Sequence, residues 1–253
     1  TIQRSEVLTW LNGHLPPSGP ILNALARFDP SPAFDGPQAE VRPPDSRIAR
    51  DPDVKRAGRS VVRVLGTACG LGVQGSGWVA EPGVIVTNAH VVAGQDDTTV
   101  QVEGGGQKYD AEAVHFDAKN DLAVLRVGSL PSSVPALPVK ANARTGSRAA
   151  VLGFPKNGPY DVEPARLGET QTVTSSDAYG RGPVRRSITV FRGRVRSGNS
   201  GGPVVDGRGR VVTTVFAAGT GGERRTGYGV PDSITVRALA DSGRSVSTGP
   251  CAR

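Results

Sequence analysis

Methionine is absent from the 253 residues, and cysteine, histidine and aromatic residues are scarce. Because no methionine occurs, we expect that Thr1 is not a native start and that a signal or membrane anchor lies upstream of it. No apolar run approaches the roughly 18 residues that a membrane-spanning helix needs. The chain is therefore expected to meet a membrane only through such an upstream anchor.

The few residues suited to metal or redox chemistry are dispersed. Two cysteines and three histidines show none of the spacings typical of zinc sites, so we expect no metal. The stretch GLGVQG at residues 70–75 fits the dinucleotide pattern G-x-G-x-x-G, but a strand-like run follows where such a site needs a helix. We therefore expect no cofactor and interpret these glycines as a loop and hairpin.

Basic residues outnumber acidic ones without clustering. The formal net charge is +7, yet the arginines are scattered and do not alternate with aromatic residues, which make up 5% of the chain. This pattern favours a solvated basic surface, and no nucleic-acid partner is expected. Attraction to an anionic partner such as lipid headgroups is the alternative.

The hydrophobic pattern divides the chain into a leading arm and two β-rich halves. Residues 1–58 have helical apolar spacing in SEVLTWL and GPILNALARF, followed by a Pro- and Asp-rich run that predicts an extended tether. From Ser60 the apolar period is two, which predicts about six short strands over about 59–128. After a connector at about 129–145, about six more strands are predicted within 146–253, with a terminal helix in PDSITVRALADSG.

The stretch GNSGG places Ser200 among three glycines, between two predicted strands. It matches G-x-S-x-G, which also marks the nucleophile elbow of α/β-hydrolases. In those enzymes the histidine follows the serine, whereas His14, His90 and His115 all precede Ser200. The hydrolase interpretation is therefore excluded, and the chain order His, Asp, Ser remains.

His90 and Asp121 complete that order. His90 lies in the apolar run VIVTNAHVV, and Asp121 opens the apolar run DLAVLRV. Taken singly, each is more often a buried structural histidine or a strand-start cap. With Ser200 they predict a triad in which His90 accepts the serine proton and Asp121 orients the imidazole. Asp117 is the competing aspartate, but its surroundings HFDAKND indicate a turn.

The neighbours of Ser200 predict an oxyanion hole. Gly198 allows the backbone to turn so that its N–H and that of Ser200 face one point, with Asn199 between them. Gly201 and Gly202 leave room for the substrate chain.

The stretches TNAHVV, DLAVLRV and GNSGGPVVD resemble the signature segments of chymotrypsin-fold, trypsin-like serine proteases of the HtrA-like branch. The resemblance covers about residues 60–242. It implies an all-β fold of two six-stranded antiparallel β-barrels, with His90 and Asp121 from the first barrel and Ser200 from the second. HtrA-like proteases usually carry a PDZ domain after the protease domain, but only about ten residues follow the predicted terminal helix, so we do not expect one within these residues. The whole arrangement is most similar to the membrane-anchored periplasmic acid-resistance proteases of actinobacteria.

The resemblance carries further expectations about the site. It implies an apolar or mid-sized substrate pocket walled by Val215, Phe216, Ala217 and Tyr228. Arg194 and Arg196 lie near the pocket floor in sequence and leave its charge preference open. Asn199 stands where the trypsin branch has an aspartate, so activation by a freed N-terminal amine is not expected. The similar proteases place one cysteine before the histidine and one at the C-terminus, which implies a disulfide between Cys69 and Cys251.

The sequence thus predicts an exported, monomeric serine endopeptidase that hydrolyses protein or peptide substrates of the cell envelope or periplasm, in an envelope or acid-stress response. We also expect the tether to be cleavable by the protease itself. Two alternatives stay open: a catalytically silent binding domain on a protease fold, and a basic surface-binding module.

Overall fold

The computed structural model describes residues 33–220 and 225–251. The two helices predicted before residue 29 lie outside these ranges. The described strands are β1 (Ala33–Phe34), β2 (Val61–Ala68), β3 (Leu71–Glu81), β4 (Val84–Thr87), β5 (Thr99–Val102), β6 (Tyr109–Asp110), β7 (Glu112–Asp117), β8 (Leu122–Arg126), β9 (Arg148–Gly153), β10 (Asp161–Ser175), β11 (Val184–Gly193), β12 (Pro203–Asp206), β13 (Val211–Gly219) and β14 (Thr226–Pro231). The helices are α1 (Pro52–Ala57), α2 (Ala89–Val92) and α3 (Asp232–Asp241), with 3-10 turns at Ser46–Arg50, Gly58–Ser60 and Pro155–Asn157.

The first sheet has the strand order β6-β5-β2-β3-β4-β8-β7, with every pair antiparallel. Only Ala111 separates β6 from β7, and its N–H donates to the carbonyl of Thr98. Taken as one bent strand, β6 and β7 join β5 to β8, so the sheet curls on itself. Alternate apolar side chains such as Val62 and Val64 fill its core, as the period of two predicts.

The second sheet has the order β1-β13-β12-β9-β10-β11-β14, and an additional pairing of β13 with β14 closes six of these strands. The predicted class of two curled antiparallel sheets is therefore confirmed. The seventh strand, β1, was not predicted and pairs in parallel with the end of β13. Ser200 follows β11 of the second sheet, whereas His90 lies in α2 after β4 and Asp121 directly precedes β8 of the first sheet. The site therefore falls where the two sheets meet.

The prediction of an extended tether is wrong for residues 46–57, which form a 3-10 turn and α1. Ile48 and Val54 in this segment are completely buried in a hydrophobic core to which both sheets contribute. Asp45 and Asp51 accept hydrogen bonds from backbone N–H groups two residues on, which starts the 3-10 turn and α1. Two buried apolar side chains and two caps thus hold a segment whose Pro- and Asp-rich composition indicated a linker.

The terminal helix predicted after Pro231 is confirmed as α3. Beyond it, the chain runs along the first sheet, where Val246 N–H donates to the carbonyl of Ala113 and Gly94 N–H donates to that of Thr248. The structure contains a disulfide between Cys69 and Cys251, whose Cα atoms lie 5.9 Å apart. Among the described residues, no helix has the length and apolar character to cross a membrane.

Candidate active site

His90 lies where β4 gives way to the short helix α2. The apolar side chains of β4 are buried, Asn88 has an extended backbone, and Val91 and Val92 anchor the helical turn in the first core. This places His90 with 4% of its surface exposed, so solvent reaches little of the imidazole.

His90 and Asp121 form a buried pair. The imidazole Nδ1 lies 2.7 Å from Asp121 Oδ2, and the backbone N–H of His90 donates to Oδ1 at 2.9 Å. Asn88 Nδ2 donates to the backbone carbonyl of Asp121 at 2.8 Å. Both carboxylate oxygens of Asp121 thus form hydrogen bonds with His90, and these bonds set the orientation of the imidazole ring.

The carboxyl of Asp121 stays ionised in spite of its burial. Desolvation favours the neutral form, but the charge of His90 and the hydrogen bonds it donates outweigh it, and the Arg186 guanidinium adds to the same side. The pKa of Asp121 is therefore below its ordinary value. An ionised carboxylate stabilises the imidazolium that forms when His90 takes up a proton.

Ser200 lies in a tight loop between β11 and β12. Asn199 N–H donates to the carbonyl of Arg196, and Gly202 N–H donates to that of Asn199. Gly198 has φ +91° and Gly201 has φ +81°, a region that side chains rarely adopt. The two glycines thus make possible the turn on which Ser200 lies.

This loop packs directly against the first sheet. Ser76 N–H donates to the carbonyl of Ser200 at 2.8 Å. A Cβ at Gly201 would lie 2.1 Å from the Ser76 carbonyl oxygen and 2.3 Å from Thr87 Oγ1, at the strand end that precedes His90. The structure therefore brings the three predicted residues to one junction between the sheets.

Ser76 was not predicted, although it holds the loop from the first sheet. Its hydroxyl donates to the carbonyl of Gly198 at 2.6 Å and accepts from Phe154 N–H at 3.0 Å. Gln74 Nε2 donates to the Phe154 carbonyl nearby. A serine and a glutamine within a strand gave no sequence signal of this role. Of the loop and hairpin predicted at residues 70–75, the hairpin is confirmed: β2 and β3 pair antiparallel on either side of the turn at residues 69–70. Residues 71–75 belong to β3.

The two arginines expected near the pocket floor differ in their ion pairs and in their exposure. Arg196 forms ion pairs with Asp161 and Glu163 on β10, which anchors the residue whose carbonyl accepts from Asn199 N–H. Arg194 is exposed. The charge of Arg196 is therefore matched by two carboxylates.

The four side chains predicted to wall the pocket are fully buried, with at most 1% exposed: Val215, Phe216, Ala217 and Tyr228. Phe34 of β1 lies edge-on against the Tyr228 ring, with centroids 4.9 Å apart. Their role in substrate binding stays a prediction.

Other sequence candidates fall outside this junction. Asp117 accepts from the backbone N–H and the side-chain amide of Asn120, as expected of a turn residue. Within the described ranges no group of three metal-ligating side chains occurs.

Comparison with known proteins identifies relatives over most of the chain. The model of the trypsin-like peptidase domain matches residues 75–213. Serine protease Rv3671c of Mycobacterium tuberculosis (strain ATCC 25618 / H37Rv) is 34% identical over 220 residues, which cover 85% of this chain and 54% of that protein. A probable periplasmic serine endoprotease, DegP-like, of Chlamydia trachomatis is 31% identical over 178 residues, covering 66% of this chain and 33% of that protein. The chain thus spans about half the length of the first relative.

Solved structures agree with these relatives. The crystal structure of the Rv3671c protease in its active form matches with a TM-score of 0.79 at 34% identity, covering 88% of this chain and 98% of the other. The inactive form matches with a TM-score of 0.69, covering 81% and 99%. The HtrA-type protease AlgW with tripeptide, at 24% identity and a TM-score of 0.65, shares the fold.

Proposed function

The chain belongs to the family of trypsin-like serine proteases, and on that basis we propose that it hydrolyses peptide bonds within proteins through Ser200, His90 and Asp121. The observation that carries this proposal is the buried His90–Asp121 pair beside the loop of Ser200, with 2.7 Å between His90 Nδ1 and Asp121 Oδ2. In support, the described conformation matches the form of Rv3671c called active with a higher TM-score than the form called inactive.

The proposed reaction uses each group in turn. Ser200 Oγ attacks the carbonyl carbon of the scissile bond while His90 takes its proton, and a tetrahedral intermediate forms. The imidazolium then gives that proton to the amine of the leaving peptide, and an acyl-enzyme remains. Water, deprotonated by His90, attacks the acyl carbon. The bond from that carbon to Ser200 Oγ then breaks, the imidazolium returns the proton to Ser200, and the carboxylic acid product leaves. Asp121 keeps the imidazole oriented and stabilises its charged form throughout.

The oxyanion of the tetrahedral intermediate is proposed to bind at Gly198–Ser200, where backbone N–H groups of Gly198 and Ser200 would donate to it. Losing one such donor typically raises the barrier by about 3–4 kcal/mol. Two backbone bonds support this assignment: Lys156 N–H donates to the Ser197 carbonyl, and Gly202 N–H donates to the Asn199 carbonyl. They hold the two peptide planes that carry the N–H groups of Gly198 and Ser200.

The proposed setting is outside the cytoplasm. A relative named as a periplasmic endoprotease and the disulfide between Cys69 and Cys251 both favour an exported protein. We propose envelope or periplasmic proteins as substrates, a monomeric protease domain, a membrane anchor upstream of residue 1, and a role under envelope or acid stress.

Self-processing before Phe34 is part of this proposal. The contact of Phe34 with Tyr228 supports it, since it places one of the first described residues against a side chain of the predicted pocket. We expect wild type, but not Ser200→Ala, to lose N-terminal residues on incubation, as measured by intact mass. Equal losses in both proteins would contradict self-processing.

The activity itself is tested with Ser200→Ala and a matched control. Ser197 is an exposed serine of the same loop. We expect wild type and Ser197→Ala to cleave a peptide library and to react with a fluorophosphonate probe, and Ser200→Ala to do neither. Cleavage by Ser200→Ala within tenfold of wild type would refute the nucleophile. Absence of cleavage and labelling in wild type would favour a silent binding domain.

A further inference from the structure

A buried arginine lies beside the proposed catalytic pair and has no part in the reaction described above. Arg186 on β11 has 6% of its surface exposed, whereas its neighbour Arg185 is exposed. Successive side chains of a strand point to opposite faces, so only one of the two enters the interior. Burying a guanidinium costs free energy unless specific contacts compensate for the lost hydration.

The contacts of Arg186 bridge the two sheets. Its guanidinium carbon lies 4.2 Å from the centroid of the Phe216 ring on β13. Nε donates to Ser175 Oγ at 2.9 Å, within the second sheet. Nη1 donates to the carbonyl of Lys119 at 3.5 Å, in the turn of the first sheet that leads to Asp121. The side chain thus ties the Asp121 turn to the second sheet.

No carboxylate of the described residues lies within 4 Å of this guanidinium, so its charge is not consumed by a local ion pair. Three aspartates face it from a longer distance: Asp117 and Asp121 from the first sheet and Asp177 from the segment after β10. Asp117 accepts its hydrogen bonds from Asn120.

Asp177 is likewise engaged elsewhere. It accepts from the backbone N–H groups of Tyr179 and Arg181. Asp121 is committed to His90. The positive charge of Arg186 therefore acts across a low-dielectric interior on the His90–Asp121 pair.

We propose that Arg186 is a positioning residue that holds the Asp121 turn and keeps His90 in its unprotonated, base-competent form as the medium becomes acidic. The inference rests on the proposed function of that pair. A positive charge near Asp121 offsets part of the attraction that Asp121 exerts on an imidazolium, so protonation of His90 requires a lower pH. Burial lowers the pKa of Arg186, but a guanidinium remains charged throughout the range in which enzymes work.

The kinetic test compares four proteins over pH 4.5–8.5: wild type, Arg186→Gln, Arg186→Lys and Arg185→Gln. We expect Arg186→Gln to move the acidic limb of kcat/KM to higher pH, with about three- to tenfold lower kcat/KM at pH 5 and less than about twofold change at pH 8. Arg186→Lys keeps the charge and should restore the wild-type limb. Arg185→Gln removes an exposed charge and should leave the limb in place.

A purely structural role would give a different result. Loss of packing lowers kcat/KM by a similar factor at every pH, so an unshifted limb in Arg186→Gln would overturn the proposal. If Arg186→Gln does not fold, the proposal depends on Arg186→Lys against wild type, and a limb shifted by this charge-preserving change would overturn it.

A second measurement does not depend on peptide hydrolysis. In the Ser200→Ala background, the His90 imidazole is titrated by NMR with and without Arg186→Gln. We expect the midpoint for His90 to move to higher pH in the double variant, while that of His115 stays in place. An unchanged titration midpoint of His90 would overturn the inference even if the enzyme is active. A shifted His90 in a protein without peptidase activity would refute the proposed function and leave the electrostatic effect standing.

Discussion

The two halves of the junction are held in different ways. Beside the first sheet, the His90–Asp121 pair is fixed by hydrogen bonds between segments that adjoin β4 and β8, including the one from Asn88. In the second sheet, the Ser200 loop depends on backbone bonds, on two glycines with positive φ, and on Ser76 across the junction.

This difference indicates where each half is vulnerable. The pair should keep its geometry when the second sheet is altered, because its first contacts are local. The loop should lose its geometry when either sheet changes, because its carbonyl groups accept hydrogen bonds from the other sheet. Arg186 is the exception, since it reaches from β11 to the turn before Asp121.

The largest effect should come from removing the pair itself. We expect His90→Ala to lower kcat by about 10⁶-fold, and Asp121→Asn by about 10⁴-fold, because the base is lost in one and only misoriented in the other. Steady-state and burst kinetics on a peptide substrate measure both. A larger loss for Asp121→Asn than for His90→Ala would contradict the roles assigned here.

The next largest effect tests the loop. In Gly201→Ala, the new Cβ meets the Ser76 carbonyl at 2.1 Å and the backbone must keep φ +81°, so the loop must move. Displacing the nucleophile by about 1 Å can cost about 100-fold in kcat/KM, and we expect at least that loss. Gly207→Ala is the control, since its nearest neighbour would lie 3.8 Å away.

The same variant sharpens the comparison between the halves. The proton between His90 Nδ1 and Asp121 should still give its NMR signal in Gly201→Ala, because the two bonds from His90 to Asp121 do not involve the Ser200 loop. Loss of that proton signal together with activity would mean that the two halves are not independent. Activity within tenfold of wild type would mean that the glycine is not needed.

The sequence was sufficient for the curled sheets and the terminal helix, because the spacing of apolar residues determines them. The chain order His90, Asp121, Ser200 led to the proposed triad, whose chemical roles stay a prediction. The sequence was insufficient where the composition of a segment does not indicate which of its side chains are buried. Ile48 and Val54 are single apolar residues in a Pro-rich run, yet both are buried. Arg185 and Arg186 are adjacent residues of the same type, and only the register of β11 decides which side chain points into the interior.

The disulfide should affect stability more than activity. Replacing Cys69 and Cys251 by serine opens a loop of 182 residues, which reduces the free energy of unfolding by at most about 5 kcal/mol. The tail keeps its bond to Gly94, close to His90, so we expect less than tenfold loss of activity at 25 °C. Denaturant unfolding and peptide kinetics measure the two effects. Unchanged unfolding, or two free thiols in unreduced denatured wild type, would contradict the prediction.

The smallest effect should come from Asp206, in a turn of the second sheet outside the junction. Its carboxylate accepts from the backbone N–H groups of Arg208 and Arg210 and from the Arg210 guanidinium. Burial raises the pKa of Asp206, but these bonds outweigh that effect and hold the pKa below its ordinary value. Because the folded-state pKa is depressed, this stabilisation is complete above the ordinary carboxyl pKa and is lost as the pH falls through the folded value.

We therefore expect Asp206→Asn to lower Tm at pH 7 by about 2 °C, since solvent screens a partly exposed pair, and to flatten the decline of Tm below about pH 4. Peptidase activity at pH 7 should stay at the wild-type level, as in the control Asp96→Asn, which alters an exposed carboxylate of the first sheet. A loss of activity in Asp206→Asn alone would show that the nucleophile loop depends on distant turns of its own sheet as well as on the first sheet.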